Sequence, residues 1–504
     1  MTAEKPRPKE ETMPAYILAI DQGTTSSRAV IVDQDMNIRG VGQQEFKQSY
    51  PRPGWVEHEP EAIWRSVEHS IAAAIRNAAI KAPDIAGIGI TNQRETIVLW
   101  DPKTGKPAYN AIVWQCRRSA AICQRLRKKG LEPLFAKKTG LLLDPYFSGT
   151  KLTWLFENVP ELRAKARAGS LKAGTIDSYL VFRLTGGKAH VTDASNASRT
   201  LLLDIGKVAW DEELADLLRV PICLLPRVAG SSEVYGKTKG LGCLPDGIPI
   251  AGMAGDQQAA LFGQACFDKG DAKCTFGTGS FLLMNTGEKP ARSRNRLLTT
   301  IGWQLDGRTT YALEGSVFIA GAAVQWLRDG LRMIKSSPDI EKLAAQVDSS
   351  EGVVMVPALA GLGAPHWRPE ARGLLSGITR GTNSAHIARA ALEAIALQNH
   401  DIIKAMESDS GLKLRRLKVD GGAAANDLLM QIQADIIRRD IVRPRLIETT
   451  AMGAAFLAGL AIGYWPDVEA IARAWKPGRT FSARMDEAAR KDLIKRWDAA
   501  VAKA

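Results

Sequence analysis

The run Ile20-Asp21-Gln22-Gly23-Thr24-Thr25-Ser26-Ser27-Arg28 constrains this chain more than any other stretch. An apolar segment, Tyr16 to Ile20, precedes it and an alternating one, Ala29 to Asp33, follows, which predicts the turn of a β-hairpin. A turn of Gly, Thr and Ser presents backbone N–H groups and hydroxyls together. That is a cradle for phosphate oxygens, and Asp21 at the strand end can hold the accompanying Mg²⁺ through water. The other half of the chain repeats the idea in Cys274-Thr275-Phe276-Gly277-Thr278-Gly279-Ser280-Phe281, followed by the apolar Leu282 to Met284. One such turn is weak evidence, because most are only turns. Two of them, each heading a long α/β region, predict a duplicated fold that grips a nucleotide from both sides.

At 504 residues the chain exceeds one hydrophobic core and predicts two domains. Its 45% hydrophobic and 24% charged content is that of an ordinary globular protein. The net charge of +13 is dispersed, without long runs of like charge or interleaved aromatics, so it favours anionic ligands such as ATP over nucleic acid. The six cysteines show no C-x-x-C spacing, which argues against zinc and for reduced thiols in a cytoplasmic protein. Residues 1–15, charged and without an apolar stretch, predict a disordered tail rather than a signal peptide. The uncharged stretch Thr449 to Pro466 reads as a buried core helix rather than a membrane insertion.

Strand and helix patterns alternate throughout, the signature of α/β layers. In the first half the hairpin is followed by an amphipathic helix from Glu61 to Ala79, a strand from Ile85 to Ile90, a loop over Thr91–Glu95, and a strand from Thr96 to Trp100. A strand over Ile248–Met253 runs into a helix starting at Asp256. In the second half, helices are expected at Phe318–Leu331, Asn383–Met406 and Asn426–Arg439, with a strand at Leu414–Val419. A boundary near Phe267 divides a first domain, 16–267, from a second, 268–504, across a cleft.

Asp256 ends an apolar strand and opens a helix, so it lies at the carboxyl edge of a sheet, where α/β ligands bind. A carboxylate there can accept a hydroxyl proton as the oxygen attacks phosphorus. Its ordinary role would be a helix N-cap; beside two phosphate turns the general base is the stronger reading. Arg94 and Glu95 follow the Ile85–Ile90 strand, and a guanidinium fork beside a carboxylate suits a polyhydroxylated substrate. The plain alternative is a surface ion pair between neighbours. The turn Asp420-Gly421-Gly422 lets a flat ring approach the backbone, and Trp114 and Phe281 offer apolar faces to a carbon skeleton. The six histidines are scattered, and no P-loop, G-x-S-x-G or H-E-x-x-H motif occurs.

The runs IDQGTTSSRAV, GITNQRET, NAIVWQCRR, LDPYFSGTK, VTDASNASRT, AGDQQAALFGQ, FGTGSFLLMNTGEK, ALEGSVFIAGAAVQWLRD and VDGGAAAND, in this order between Tyr16 and Trp465, resemble the glycerol-phosphorylating branch of the FGGY carbohydrate kinases, within the actin-like ATPase superfamily. The resemblance implies two ribonuclease-H-like domains with an interdomain cleft, glycerol lying deep and ATP binding mainly against the second domain. It implies Asp256 as base and Arg94, Glu95, Tyr146 and Gln257 as ligands of the glycerol hydroxyls, with Trp114 and Phe281 as the apolar wall. Thr24, Thr25, Ser26 and Arg28 match the first phosphate loop, with Asp21 and Asp256 near Mg²⁺. Thr278, Gly321, Gln325, Gly422 and Asn426 match the nucleotide contacts. A homodimer or homotetramer is implied on the same ground.

Departures accompany the likeness. The stretch Lys237 to Pro249, where some relatives carry an Arg-bearing inhibitor loop or a regulatory histidine, has neither residue type. His366 stands where tyrosine is usual, and the tail after Trp475 shows little of the pattern. Two other readings share the phosphate turns: a kinase for a longer polyol or a ketose, and an actin- or Hsp70-like ATPase that couples nucleotide state to a partner.

Overall fold

The computed structural model describes residues 15–368 and 370–504. The expected tail, residues 1–15, lies outside the described residues except for Ala15, whose N–H donates to the Asp84 carbonyl at 2.8 Å.

The chain builds two sheets of the same design. In the first, β1 (Tyr16–Gln22), β2 (Ser26–Val32) and β3 (Ile38–Glu45) form an antiparallel meander. β4 (Ile85–Asn92) runs parallel to β1, β6 (Pro249–Gly255) parallel to β4, and β5 (Ser232–Lys237) closes the edge, in the order β5-β6-β4-β1-β2-β3. In the second, β7 (Ala272–Phe276), β8 (Ser280–Gly287) and β10 (Arg308–Val317) are the antiparallel strands, with β9 (Leu298–Leu305) added outside β10. β11 (Leu417–Asp420) and β12 (Ile441–Pro444) follow in parallel from β7, and β13 (Pro477–Phe481) closes the edge. Each meander with parallel strands beyond its first member is the duplication that the paired turns predict. Thr91 and Asn92, expected in a loop, extend β4, because they pair with Asp21 and Gln22.

Helix α1 (Pro60–Ala78) covers β2 and β3, burying Ile63, Trp64, Val67 and Ile71 at helical spacing. On the second sheet lie α3 (Gly321–Asp329), α4 (Ser384–Ser410), capped by Asn383, and α5 (Asp427–Ile437), capped by Asn426. His366 is half-buried: its Nε2 and the indole Nε1 of fully buried Trp497 both meet Asp401 Oδ2, at 3.0 and 2.8 Å. The helix Glu487–Val501, which carries Trp497, thereby ties the tail to the second sheet.

Two further helices fill the space between the sheets. α2 (Asp256–Gly263) follows β6 of the first sheet yet packs on β7, β8 and β9 of the second. α6 (Thr449–Ala461), from the second half, packs on β1, β4 and β6 of the first. The core helix expected over Thr449–Pro466 thus covers Thr449–Ala461 and ends in a turn before Pro466, and no described helix is long and apolar enough to cross a membrane. α2 and α6 touch backbone to backbone through glycine. A Cβ on Gly453 would lie 1.9 Å from the Ala259 carbonyl oxygen, and one on Gly263 would lie 1.9 Å from that of Thr449. In a free helix Gly→Ala stabilises by about 1 kcal/mol; here overpacking of about 1–3 kcal/mol opposes and outweighs it. A Gly453→Ala variant is therefore expected to melt below the wild type, and calorimetric melting that shows an unchanged or higher midpoint would contradict this contact.

Candidate active site

β1, β4 and β6 point the same way, so their carboxyl ends meet on one edge of the first sheet. Each hands the chain directly to a predicted site segment: β1 to Gly23–Thr25, β4 to Gln93–Glu95, and β6 to Asp256.

The first turn is closed by the Gly23 N–H on the Ser26 carbonyl at 2.9 Å. Thr24 Oγ1 accepts from Trp114 Nε1 at 3.0 Å, and Ser26 Oγ accepts from Gln43 Nε2 at 3.0 Å; Thr25 is exposed. Arg28 donates to Gln43 Oε1 at 2.8 Å and pairs with Glu448, just before α6. Burial and the neighbouring Asp256 carboxylate push the Asp21 carboxyl up to about 7, with Arg28 opposing and Glu448 adding. No group of three or more His, Cys, Asp or Glu side chains among the described residues forms a metal cage. Two carboxylates that disfavour each other's charge, beside a phosphate turn, do fit Mg²⁺, which keeps most of its waters and binds through one or two carboxylates plus phosphate.

Below this edge lies a buried charged floor. Arg94 donates to Glu314 through Nη1 at 2.5 Å and Nη2 at 3.1 Å, and to Gln258 Oε1 at 3.2 Å. Its Nε lies 3.1 Å from Asp256 Oδ1. Arg199 donates from Nε to Glu95 Oε1 at 2.7 Å and from Nη2 to Glu314 Oε1 at 3.0 Å. The side chains of Arg94, Glu95, Arg199 and Glu314 are all 2% exposed or less. Arg94 and Glu95 are therefore no surface pair; their own nearest approach is 3.9 Å. Glu95 has φ of +60°, an unfavourable backbone for a residue with a side chain, held by the surrounding ion pairs.

Tyr146, ahead of the helix Ser148–Asn158, stacks edge-on to Trp114 at 5.6 Å and lies 5.8 Å from the Arg199 guanidinium. Burial, then Glu95, raises its phenol, keeping the hydroxyl neutral and able to donate. Its carbonyl accepts from Lys151, which is fully buried. Gln257 receives a hydrogen bond from Lys273 of β7, and half-buried Phe281 of β8 is the register partner of Thr275.

The second sheet repeats the edge. The Gly277-Thr278-Gly279 turn is closed by the Gly277 N–H on the Gly279 carbonyl at 2.8 Å. It docks on the start of α3: the Thr278 carbonyl accepts from Ala320 and Ala322, both at 2.9 Å, and that of Gly277 from Gly321 at 3.0 Å. Gly321 must be glycine, since a Cβ would stand 2.5 Å from that last carbonyl. Gln325 is exposed along α3. β11, parallel to β7, ends beside it at Asp420; Gly422 is exposed in the turn beyond, and Asn426 Oδ1 accepts from Leu429 N–H at 2.8 Å. Thr278 and Gly321 therefore meet at the edge where β11 ends ahead of Gly422, with Gln325 one helical turn further along α3 and Asn426 at the head of α5.

Sequence reasoning did not single out Arg199, Glu314 or Lys273. A lone acid inside the apolar strand Tyr311–Val317 was the available signal for Glu314, and nothing local marked the other two.

Comparison with known proteins agrees with this architecture. Residues 16–263 match the N-terminal domain, and residues 272–462 the C-terminal domain, of the FGGY family of carbohydrate kinases. A protein named glycerol kinase from Myxococcus xanthus is 58% identical, covering 97% of this chain and 99% of its own. Another of that name, from Bdellovibrio bacteriovorus, is 57% identical over 96% and 98%. The crystal structure of Plasmodium falciparum glycerol kinase with ADP superposes with a TM-score of 0.92 at 38% identity, covering 97% and 98%. Xylulose kinase from Lactobacillus acidophilus, at 24% identity and TM-score 0.88, shares the fold. The chain belongs to the FGGY family of carbohydrate kinases.

Proposed function

We propose that the protein transfers the γ-phosphoryl group of ATP to glycerol, giving sn-glycerol 3-phosphate and ADP. The observation that carries this reading is the assembly of Arg94, Glu95 and Asp256 over a buried ion-pair floor at the edge that also bears the first phosphate turn. The two relatives of that name, each covered almost end to end, support the choice of glycerol. Residues 16–267 supply the polyol site and the first phosphate turn, and residues 268–504 supply the nucleotide site.

In this reading Arg94, Glu95, Tyr146 and Gln257 donate to and accept from the glycerol hydroxyls, while Trp114 and Phe281 face its carbons. Such a set rejects analogues that leave buried groups unpaired. Asp256 takes the proton of the terminal hydroxyl as that oxygen attacks the γ-phosphorus, and the bond to the ADP oxygen breaks on the opposite side. Thr24, Thr25, Ser26 and Arg28 orient the phosphate chain from one sheet, and Thr278, Gly321, Gln325, Gly422 and Asn426 hold the nucleotide from the other. When bound, Mg²⁺ neutralises charge on the phosphate oxygens, and Asp21 and Asp256 are the carboxylates that would hold it, through water. Glu448 holds Arg28 and so keeps a cation at the phosphate turn. A cytoplasmic homodimer or homotetramer is the state we propose, supported by family likeness.

The test is ADP release from Mg·ATP with glycerol present or absent. Turnover that depends on glycerol is expected, with xylulose and other sugars poor substitutes. Turnover only with a ketose would move the protein to another branch of the family, and turnover without any polyol would make it an ATPase.

A further inference from the structure

α2, which begins with the proposed base, is held at both ends from the second sheet. Lys273 of β7 and Lys418 of β11 are register partners on adjacent parallel strands, 0% and 4% exposed. Lys418 Nζ donates to the Gln264 and Ala265 carbonyls at 2.6 and 2.8 Å, just beyond the last turn of α2. A cation at a helix C-terminus is favourable, so Lys418 has a structural explanation. Lys273 has none of that kind. Its ammonium lies against the first turn of the same helix, the end where a positive charge opposes the dipole, and it is buried as well. Carboxylates in reach that offset it include Asp420, Asp256 and Glu314.

What Lys273 contacts explains its place. Its Nζ donates to Gln257 Oε1 and to Thr275 Oγ1, the latter at 2.8 Å. An ammonium has donors and no acceptor, so the oxygen of the Gln257 amide must face Lys273 and the NH₂ must face away. We propose that Lys273 is a positioning residue that fixes the Gln257 amide with its NH₂ toward the polyol. A hydroxyl that accepts from this NH₂ has its own proton left to give, and the adjacent Asp256 is the acceptor. The inference rests on the proposed kinase reading and adds to it a second-domain residue that selects the rotamer of a first-domain ligand.

The experiment is steady-state kinetics of Lys273→Met, close to lysine in shape, with Lys418→Met as control. Lys273→Met is expected to raise KM for glycerol about tenfold, the scale of one hydrogen bond, with KM for ATP and kcat changed far less. Lys273→Arg, which keeps the donors, should restore part of the loss. Lys418→Met should lower the melting temperature and leave KM for glycerol alone. The double variant Lys273→Met/Gln257→Leu should be no worse than Gln257→Leu alone. Gln257→Glu, which keeps an oxygen for Lys273 and removes the NH₂, should raise KM as much as Gln257→Leu, and it decides the matter if Lys273→Met does not fold. An unchanged KM in Lys273→Met, additive effects in the double variant, or a wild-type KM in Gln257→Glu would overturn the proposal. A wild type that ignores glycerol but phosphorylates another polyol would correct the substrate, and the same KM comparisons made on that polyol would still decide the role of Lys273.

Discussion

An Asp256→Asn variant is expected to lose about 10²- to 10⁴-fold in kcat, the usual span for removing a general base, while keeping its melting temperature. Asparagine can still accept from the Gln257 N–H, which meets Asp256 Oδ1 at 2.7 Å, and from Arg94. What it cannot do is take a proton. The Asp256 side chain is 34% exposed and Arg94 retains its bidentate grip on Glu314, so little stability rests on the pair. Glycerol-dependent ADP release, set beside a melting curve, separates chemistry from folding. Activity equal to the wild type would leave the substrate standing and remove the base.

Glu314→Gln is expected to act on both stability and substrate. Glu314 accepts from both Arg94 and Arg199, so neutralising it leaves these two buried guanidinium groups with Glu95 near both and Asp256 beside Arg94 alone. Breaking a buried pair from one side costs about 3–5 kcal/mol. KM for glycerol should rise as well, because Arg94 and Glu95 are both oriented through this carboxylate. The pH dependence has a definite sign. Burial pushes the Glu314 carboxyl up, but Arg199 and Arg94 more than offset this and hold it at about 2, below its ordinary 4.5. A carboxylate with a depressed folded-state value stabilises fully above 4.5 and loses that contribution as pH falls toward 2. The melting temperature of the wild type should therefore drop more steeply than that of Glu314→Gln between pH 4.5 and 2. Parallel curves would mean that the carboxylate contributes nothing to the fold.

The contrast between these residues shows what the sequence could carry. The two phosphate turns are local: a few consecutive residues determine a turn's shape and its exposed donors, so Thr24 to Ser26 and Gly277 to Gly279 were readable as they stand. Arg94 and Glu95 were readable as a pair of types but not as a geometry, since their partners are Glu314, Arg199 and Asp256 rather than each other. The Arg94–Glu314 contact spans 220 residues, and no pattern of periodicity reports on a pairing of that range. The same limit hid the exchange of α2 and α6. Their Ala- and Gly-rich composition announces burial, yet it is silent about which sheet each will cover.

That exchange fastens the two lobes to each other. Each lobe keeps hold of a helix that the other lobe's sheet requires, so pulling them apart would strip both sheets at once. Where the two helices meet, glycine backbone at Gly263 and Gly453 lies against carbonyl groups, and Leu261 and Phe262 share a core with Met452 and Phe456. The proposed base therefore opens a helix that continues from the first sheet and is also held from the second, by Lys273 at its first turn and by Lys418 just beyond its last.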